Sequence, residues 1–204
     1  MAQVEGLPQG SMVFPPLLGV ERELQELRNR TGATKLLNET FTKQALQKAL
    51  ESGDYSVVHL ATHGKFSSNP SSTFLITGLG ELIRVKQLAD VLQPSQRRTG
   101  NSLDLLILSA CESASNDENA NLGLAAVAAR SGASSTIASL WSVNDESTAL
   151  LMDSFYQHWL RDRSDGRPIS KAKALSLAQS DVRNATKTSH PYYWAAFTLL
   201  GDWR

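Results

Sequence analysis

One cysteine in 204 residues excludes any disulfide within the chain, and with it a disulfide-stapled secreted scaffold. Neither charge is in surplus: 20 Lys and Arg offset 20 Asp and Glu, scattered rather than clustered. A basic stripe for nucleic acid is missing, and so is an acidic tail. No apolar run approaches the roughly 20 residues that span a bilayer, and the N-terminus lacks the basic-then-apolar layout of a signal peptide. The expectation is a cytoplasmic protein with no nucleic-acid partner and no membrane contact. The length suits one domain with a substantial core, or at most two small ones.

Residues 1 to 16 are rich in Gly and Pro without periodicity and read as a tail, leaving 17–204 as the folded domain. A helix is predicted over Val20 to Arg30, with Glu and Arg on its wet face. Leu36-Leu37 can open a short strand, and Thr42 caps a helix through Leu50. A strand over Tyr55 to Thr62 precedes a polar loop over 65–73 and a strand from Phe74 to Thr77. Gly78-Leu79-Gly80 reads as a hairpin turn, Val85 to Leu92 as a short helix, and Pro94 to Ser102 as a loop carrying Arg97-Arg98. Leu103 to Ser109 is the most apolar strand; a loop over 113–121 leads to an Ala-rich helix over Leu122 to Arg130 with Gly132 as its C-cap. Ser134 to Val143 is a strand, Asn144 or Asp145 opens a helix to Leu160, and Ile169 to Ala185 is another helix. Tyr192 to Leu200 reads as extended. Strands alternating with helices imply a mainly parallel sheet covered on both faces.

Two apolar strands stop abruptly at reactive side chains. One is Leu105-Leu106-Ile107-Leu108-Ser109-Ala110-Cys111; the other, with its histidine 48 residues upstream of the cysteine, is Val57-Val58-His59-Leu60-Ala61-Thr62-His63-Gly64. A lone cysteine is often only a small buried hydrophobe, and a lone histidine a satisfied structural group. Here both sit at carboxyl ends of predicted buried strands, where open α/β sheets bind ligands. The separation agrees with the caspase pattern of a His about 50 residues before the Cys. Cys111 and His63 can thus form a catalytic dyad, the imidazole taking the thiol proton and later protonating the leaving amine. Gly64 lacks a Cβ, so its N–H can approach a substrate oxygen and, with the N–H of Cys111, make an oxyanion hole. No suitable His follows the Cys closely: His158 lies in a predicted helix and His190 precedes Pro191.

His59 and His63 are four apart, but a zinc-protease helix needs a Glu after its first His, and Leu60 stands there. His59 is instead expected to be a buried, hydrogen-bonded strand residue, and neither metal nor cofactor is expected. Gly78-Leu79-Gly80-Glu81-Leu82-Ile83 has Ile where a dinucleotide fingerprint needs its third Gly. Asp145 opens a helix beyond the strand that follows Cys111, at the same sheet edge, and a carboxylate there can also pair with a basic substrate side chain.

His59-Leu60-Ala61-Thr62-His63-Gly64, Leu108-Ser109-Ala110-Cys111-Glu112, Ser139-Leu140-Trp141-Ser142-Val143-Asn144-Asp145 and His190-Pro191-Tyr192-Tyr193-Trp194-Ala195-Ala196-Phe197 together resemble the CHAT domain. That family groups with caspase-like cysteine peptidases, separase among them. The resemblance runs from about Val20 to the C-terminus and implies a three-layer caspase-like α/β fold, with Cys111 as nucleophile and His63 as base. It places Ser109 in the primary specificity pocket. Trp141 to Asp145 is similar to the separase run whose Asp holds an arginine, so Asp145 would favour cleavage after Arg or Lys. The expected partners are a protein or peptide substrate and a regulatory repeat domain or protein. The tetratricopeptide repeats that often precede such domains are absent, so the chain is expected to be an excised domain or a stand-alone form needing a partner. The loop after Cys111 lacks Arg and Lys, so processing there at a basic site is not expected. A catalytically silent interaction module and a small-substrate transferase or hydrolase are the competing readings.

Overall fold

A computed structural model describes residues 17, 19–52, 54–99, 103–109, 120–161 and 169–204. Helix α1 (Val20–Thr31) has Glu21 and Glu23 in its first turn and Arg28 and Arg30 in its last, charges that complement the helix dipole. Gly32, at φ +67°, ends it. Thr42 caps α2 (Lys43–Ser52) as expected, its hydroxyl oxygen accepting from the Ala45 N–H at 3.0 Å. Strands β1 (Val57–Leu60), β2 (Gly64–Lys65), β3 (Phe74–Ile76) and β4 (Leu82–Arg84) follow, then α3 (Val85–Thr99) and β5 (Leu105–Leu108). The rest is α4 (Ala120–Ser131), β6 (Ser135–Ser139), α5 (Asp145–Trp159), α6 (Lys171–Asn184), α7 (Pro191–Trp194) and β7 (Phe197–Gly201).

The main sheet has the order β1-β5-β6-β7. Strands β1, β5 and β6 run parallel, with Leu60, Leu108 and Ala138 side by side, so all three end at one edge. Strand β7 closes the far edge antiparallel to β6. Along β5, Leu105 and Ile107 enter a core built with α5 and α6, while Leu106 and Leu108 enter a second built with α2 and α3. A strand buried on both faces needs apolar side chains at every position, which is why Leu-Leu-Ile-Leu is continuous rather than alternating. The architecture is therefore a three-layer α/β domain with a mainly parallel sheet between helices, as the order of elements predicted. No described helix is long and apolar enough to cross a membrane.

Strands β2, β3 and β4 form a small antiparallel sheet leaving the end of β1. Its hairpin turns at Gly78-Leu79-Gly80 as predicted, with Gly80 at φ +84°. Gly78 is required for a second reason: a Cβ there would stand 1.7 Å from the Asn38 carbonyl oxygen.

Several elements differ from the sequence reading. Residues 33–37 carry no strand pairing, so the strand expected at Leu36-Leu37 does not form; Leu37 is extended but has no strand beside it. Helix α3 runs through Pro94 to Thr99, which puts Arg97-Arg98 on a helix rather than a loop. Proline removes one i to i−4 hydrogen bond, and α3 continues past that loss. The loop expected over 65–73 contains β2's second residue and a 3₁₀ turn at Pro70–Ser72. Tyr192 to Leu200 is not extended throughout: His190 caps α7 with Pro191 at its first turn, the position where proline's missing N–H matters least, and β7 begins only at Phe197. Of the loop expected over 113–121, residues 120–121 open α4; the remainder, like the tail over 1–16, lies outside the described residues.

These contacts give a stability test. Gly78→Ala should lower unfolding stability by about 3 kcal/mol, because backbone must move to admit the methyl group. Gly32→Ala, with open space around it, should lose only ~1 kcal/mol to its left-handed backbone. Urea unfolding of the two variants measures the difference, and equal losses would contradict the Asn38 contact.

Candidate active site

The site is built from the carboxyl ends of three parallel strands. Beyond β1, Ala61-Thr62-His63 carries the chain into the small sheet. The Thr62 hydroxyl donates to the Ile76 carbonyl, and the Ile76 N–H donates to His63 O at 3.0 Å, so the turn bearing His63 is pinned to β3. His63 is half-buried. Gly64 pairs with Leu75, and a Cβ on it would lie 2.7 Å from Leu75 Cδ2 and 3.0 Å from Phe74 O. Close packing of β2 on β3 therefore demands glycine there, a reason separate from catalysis. Because the flanking bond joins His63 O to Ile76 N–H, Gly64 and Leu75 are a non-hydrogen-bonded pair, and the Gly64 N–H faces away from β3.

The neighbouring strand, β5, runs into Ser109; Ala110 and Cys111 lie outside the described residues. Ser109 is fully buried. Its hydroxyl donates to Glu23 Oε1 at 3.1 Å and lies 2.7 Å from His59 Nε2, while that nitrogen stands 3.0 Å from Glu23 Oε1. Tyr156 completes the cluster, its hydroxyl 3.3 Å from His59 Nδ1 and its ring stacked at 5.8 Å. Four polar side chains from α1, β1, the end of β5 and α5 thus meet in the interior. Among the described residues, only Glu23 Oε2 in this cluster is buried without a hydrogen-bond partner. Burial, reinforced by the Glu23 charge, pushes the Tyr156 hydroxyl far above its ordinary range, so it stays protonated.

His59 is thus the buried, hydrogen-bonded strand residue that the sequence led one to expect. Glu23 reverses an expectation: it is 4 % exposed, not on the wet face of α1. It shares a helical face with Val20 and Leu27, and a carboxylate on that apolar stripe was the signal that could have found it. Among the described residues, no group of three or more His, Cys, Asp or Glu is placed to hold a metal ion.

Past β6 the chain turns at 140–144 into α5. The N-cap is Asn144, whose Oδ1 accepts from the Ser147 N–H at 3.1 Å, and Asp145 is the first helical residue. Asp145 is half-buried; its Oδ2 accepts a short hydrogen bond from the Gly19 N–H at the head of α1. The strand expected to reach Val143 ends at Ser139, opposite Phe197 where its antiparallel partner β7 begins. The Leu140 N–H donates to Ala196 O at 2.8 Å, and the Trp141 indole to Tyr192 O at 3.1 Å. The His-Pro-Tyr-Tyr-Trp run therefore braces the loop that leads to Asp145. Ser139, beside Ser109 in the next strand, is buried with no hydrogen-bond partner among the described residues.

The two strand ends are drawn together from outside as well. Gly123 on α4, the helix after Cys111, packs where a Cβ would be 2.3 Å from Ser67 O, in the stretch just after His63. An α/β domain whose strands β1 and β5 lie side by side and end at one edge is thereby defined. The CHAT domain family model matches residues 3–202, and the chain belongs to this caspase-like, peptidase-related family. Comparison with curated proteins found no match.

The buried phenol predicts a pH effect. Unfolded tyrosine titrates near pH ~10. The folded value is raised, so this contribution to stability is whole below about pH 10 and is lost as the pH climbs from there. Tyr156→Phe should flatten the loss of stability between about pH 9.5 and 11 in urea unfolding. An unchanged decline would show that Tyr156 ionises as readily folded as unfolded.

Proposed function

We propose that this chain is a cysteine endopeptidase of the caspase-like type, cleaving after Arg or Lys. What supports the reading is that β1 and β5 are adjacent and in register, with His63 three residues in sequence after the end of one and Cys111 three residues in sequence after the end of the other. In the first half-reaction His63 accepts the Cys111 thiol proton and the thiolate attacks the scissile carbonyl. The developing oxyanion is held by the N–H groups of Gly64 and Cys111; the Gly64 N–H, facing away from β3, suits this role. His63 then gives its proton to the leaving amine, and a water it activates hydrolyses the thioester to release the acid and restore the thiol. No metal or cofactor takes part in these steps.

Asp145 would receive the guanidinium or ammonium of the residue before the cleaved bond. Gly19 holds Oδ2, and Oδ1 has no hydrogen-bond partner among the described residues, so the carboxylate is oriented with one oxygen open. Ser109 would sit beneath this specificity pocket, its hydroxyl turned inward to Glu23 and His59. Control by a protein partner or ligand belongs to the same proposal. A second reading, a catalytically silent interaction module, draws on the Gly19 contact, since a segment of the chain already engages the carboxylate.

A labelled peptide panel separates these readings. Wild type should cleave Arg and Lys substrates, Cys111→Ala should not, and Asp145→Asn should lower kcat/KM on them by roughly 100-fold. Equal rates for wild type and Cys111→Ala would leave the silent module standing. Preference for acidic residues would overturn only the role of Asp145.

A further inference from the structure

Among the described residues Glu23 is the one buried carboxylate, and a stable interior has no need of it. Packed apolar side chains in place of such a buried pair are often neutral or stabilising. What distinguishes Glu23 is the pair of strands it touches. His59 lies on β1, four residues before His63, and Ser109 directly follows β5, two residues before Cys111. Two residues of extended chain span at most about 7 Å, so a shift of Ser109 passes toward the cysteine with little slack.

A carboxylate only accepts, so the Ser109 hydroxyl and His59 Nε2 both direct their hydrogens at Glu23 Oε1, over 3.1 and 3.0 Å. The same nitrogen lies 2.7 Å from Ser109 Oγ. The three side chains close a triangle in which Glu23 is the common acceptor. The Ser109 N–H is tied as well, donating to Leu60 O on β1 at 3.0 Å. Backbone and side chain of Ser109 are thus both fixed, one by β1 and the other by α1. Without the carboxylate, the Ser109 hydroxyl loses its acceptor, and of the contacts described here His59 keeps Ser109 and the Tyr156 hydroxyl, 3.3 Å from Nδ1.

We infer that Glu23 is a positioning residue: through Ser109 and His59 it holds the β5 and β1 ends at the separation that Cys111 and His63 need to act together. The inference rests on the dyad proposed above. It gives α1 a part in the chemistry through other side chains rather than through the reacting atoms. A misplacement of about 1 Å can cost roughly 100-fold in rate, so the geometry of the two strand ends is worth a buried carboxylate.

The thiol reports directly, because Cys111 is the only cysteine in the chain. Wild type and variants of the whole chain are alkylated with iodoacetamide at neutral pH, each with and without His63→Ala. In wild type, His63→Ala should slow alkylation about tenfold, the activation that an imidazole gives a neighbouring thiol. In Glu23→Leu and Ser109→Ala that ratio should fall to within about twofold of unity. The variant that keeps the wild-type circular dichroism is the one to read. Glu23→Gln, which retains an acceptor oxygen, should restore most of the ratio. On an Arg peptide, Glu23→Leu should lower kcat roughly 30-fold with KM within about twofold. A role in stability alone would move the urea midpoint and leave the ratio as in wild type. That result, with wild-type cleavage intact, overturns the inference and spares the peptidase reading. A collapsed ratio in the variants, with no cleavage by wild type, overturns the peptidase reading and supports the role of Glu23. A wild-type ratio of one overturns both.

Discussion

Every side chain of β5 is withdrawn from water, Leu105, Leu106 and Ile107 completely, and the rest of the fold answers to that demand. Each such burial contributes about 1.5–3 kcal/mol, but only when helices cover both faces of the strand. Two cores therefore meet on one strand, with α5 and α6 on one side and α2 and α3 on the other. Strand β1 and strand β6 are held in register against it. The loops that leave these strands then have one place to go, the shared carboxyl edge. The candidate site is in this sense a by-product of covering β5.

The polar cluster at Glu23 answers to a different requirement. A buried carboxylate facing an imidazole at 3.0 Å, each side chain 3 % exposed, is not the most stable way to fill an interior. What it supplies is geometry. Glu23 reaches His59 and Ser109 only when α1 lies along α5 in one register. The Gly19–Asp145 contact fixes the head of that pair of helices, and Arg30 to Asp153 at 3.0 Å fixes its tail. The exposed tail bridge is worth at most ~1 kcal/mol, so the interior contact sets the register.

Much of this was legible before any coordinates. The 3.6-residue spacing and hydroxyl cap of α2, the apolar run of β5, and Gly132 at φ +71° after α4 are local signals that tertiary contacts do not override. The convergence of the β1 and β5 ends also followed from their parallel pairing. Other features were hidden because their causes are not local. Pro94 reads as a stop, yet α3 passes through it. Tyr192 to Leu200 mixes a capped turn with a strand, and aromatic content alone cannot divide them. The need for glycine at 64 and 78 comes from Leu75 and Asn38, which no spacing rule connects. Glu23 was assigned to solvent from its charge, when its position on the stripe of Val20 and Leu27 was the better guide.

The brace under the Asp145 loop also bears on the order in which the fold can be assembled. Leu140 and Trp141 are anchored by Ala196 and Tyr192, and β6 gains its second neighbour only when Phe197–Gly201 arrives. In chain order those residues follow every other strand among the described residues. A chain that stops short of Tyr192 lacks the support for the loop that carries Asp145. The loop that carries Asp145 thus depends on contacts that are made only once β7 and the turn before it are in place.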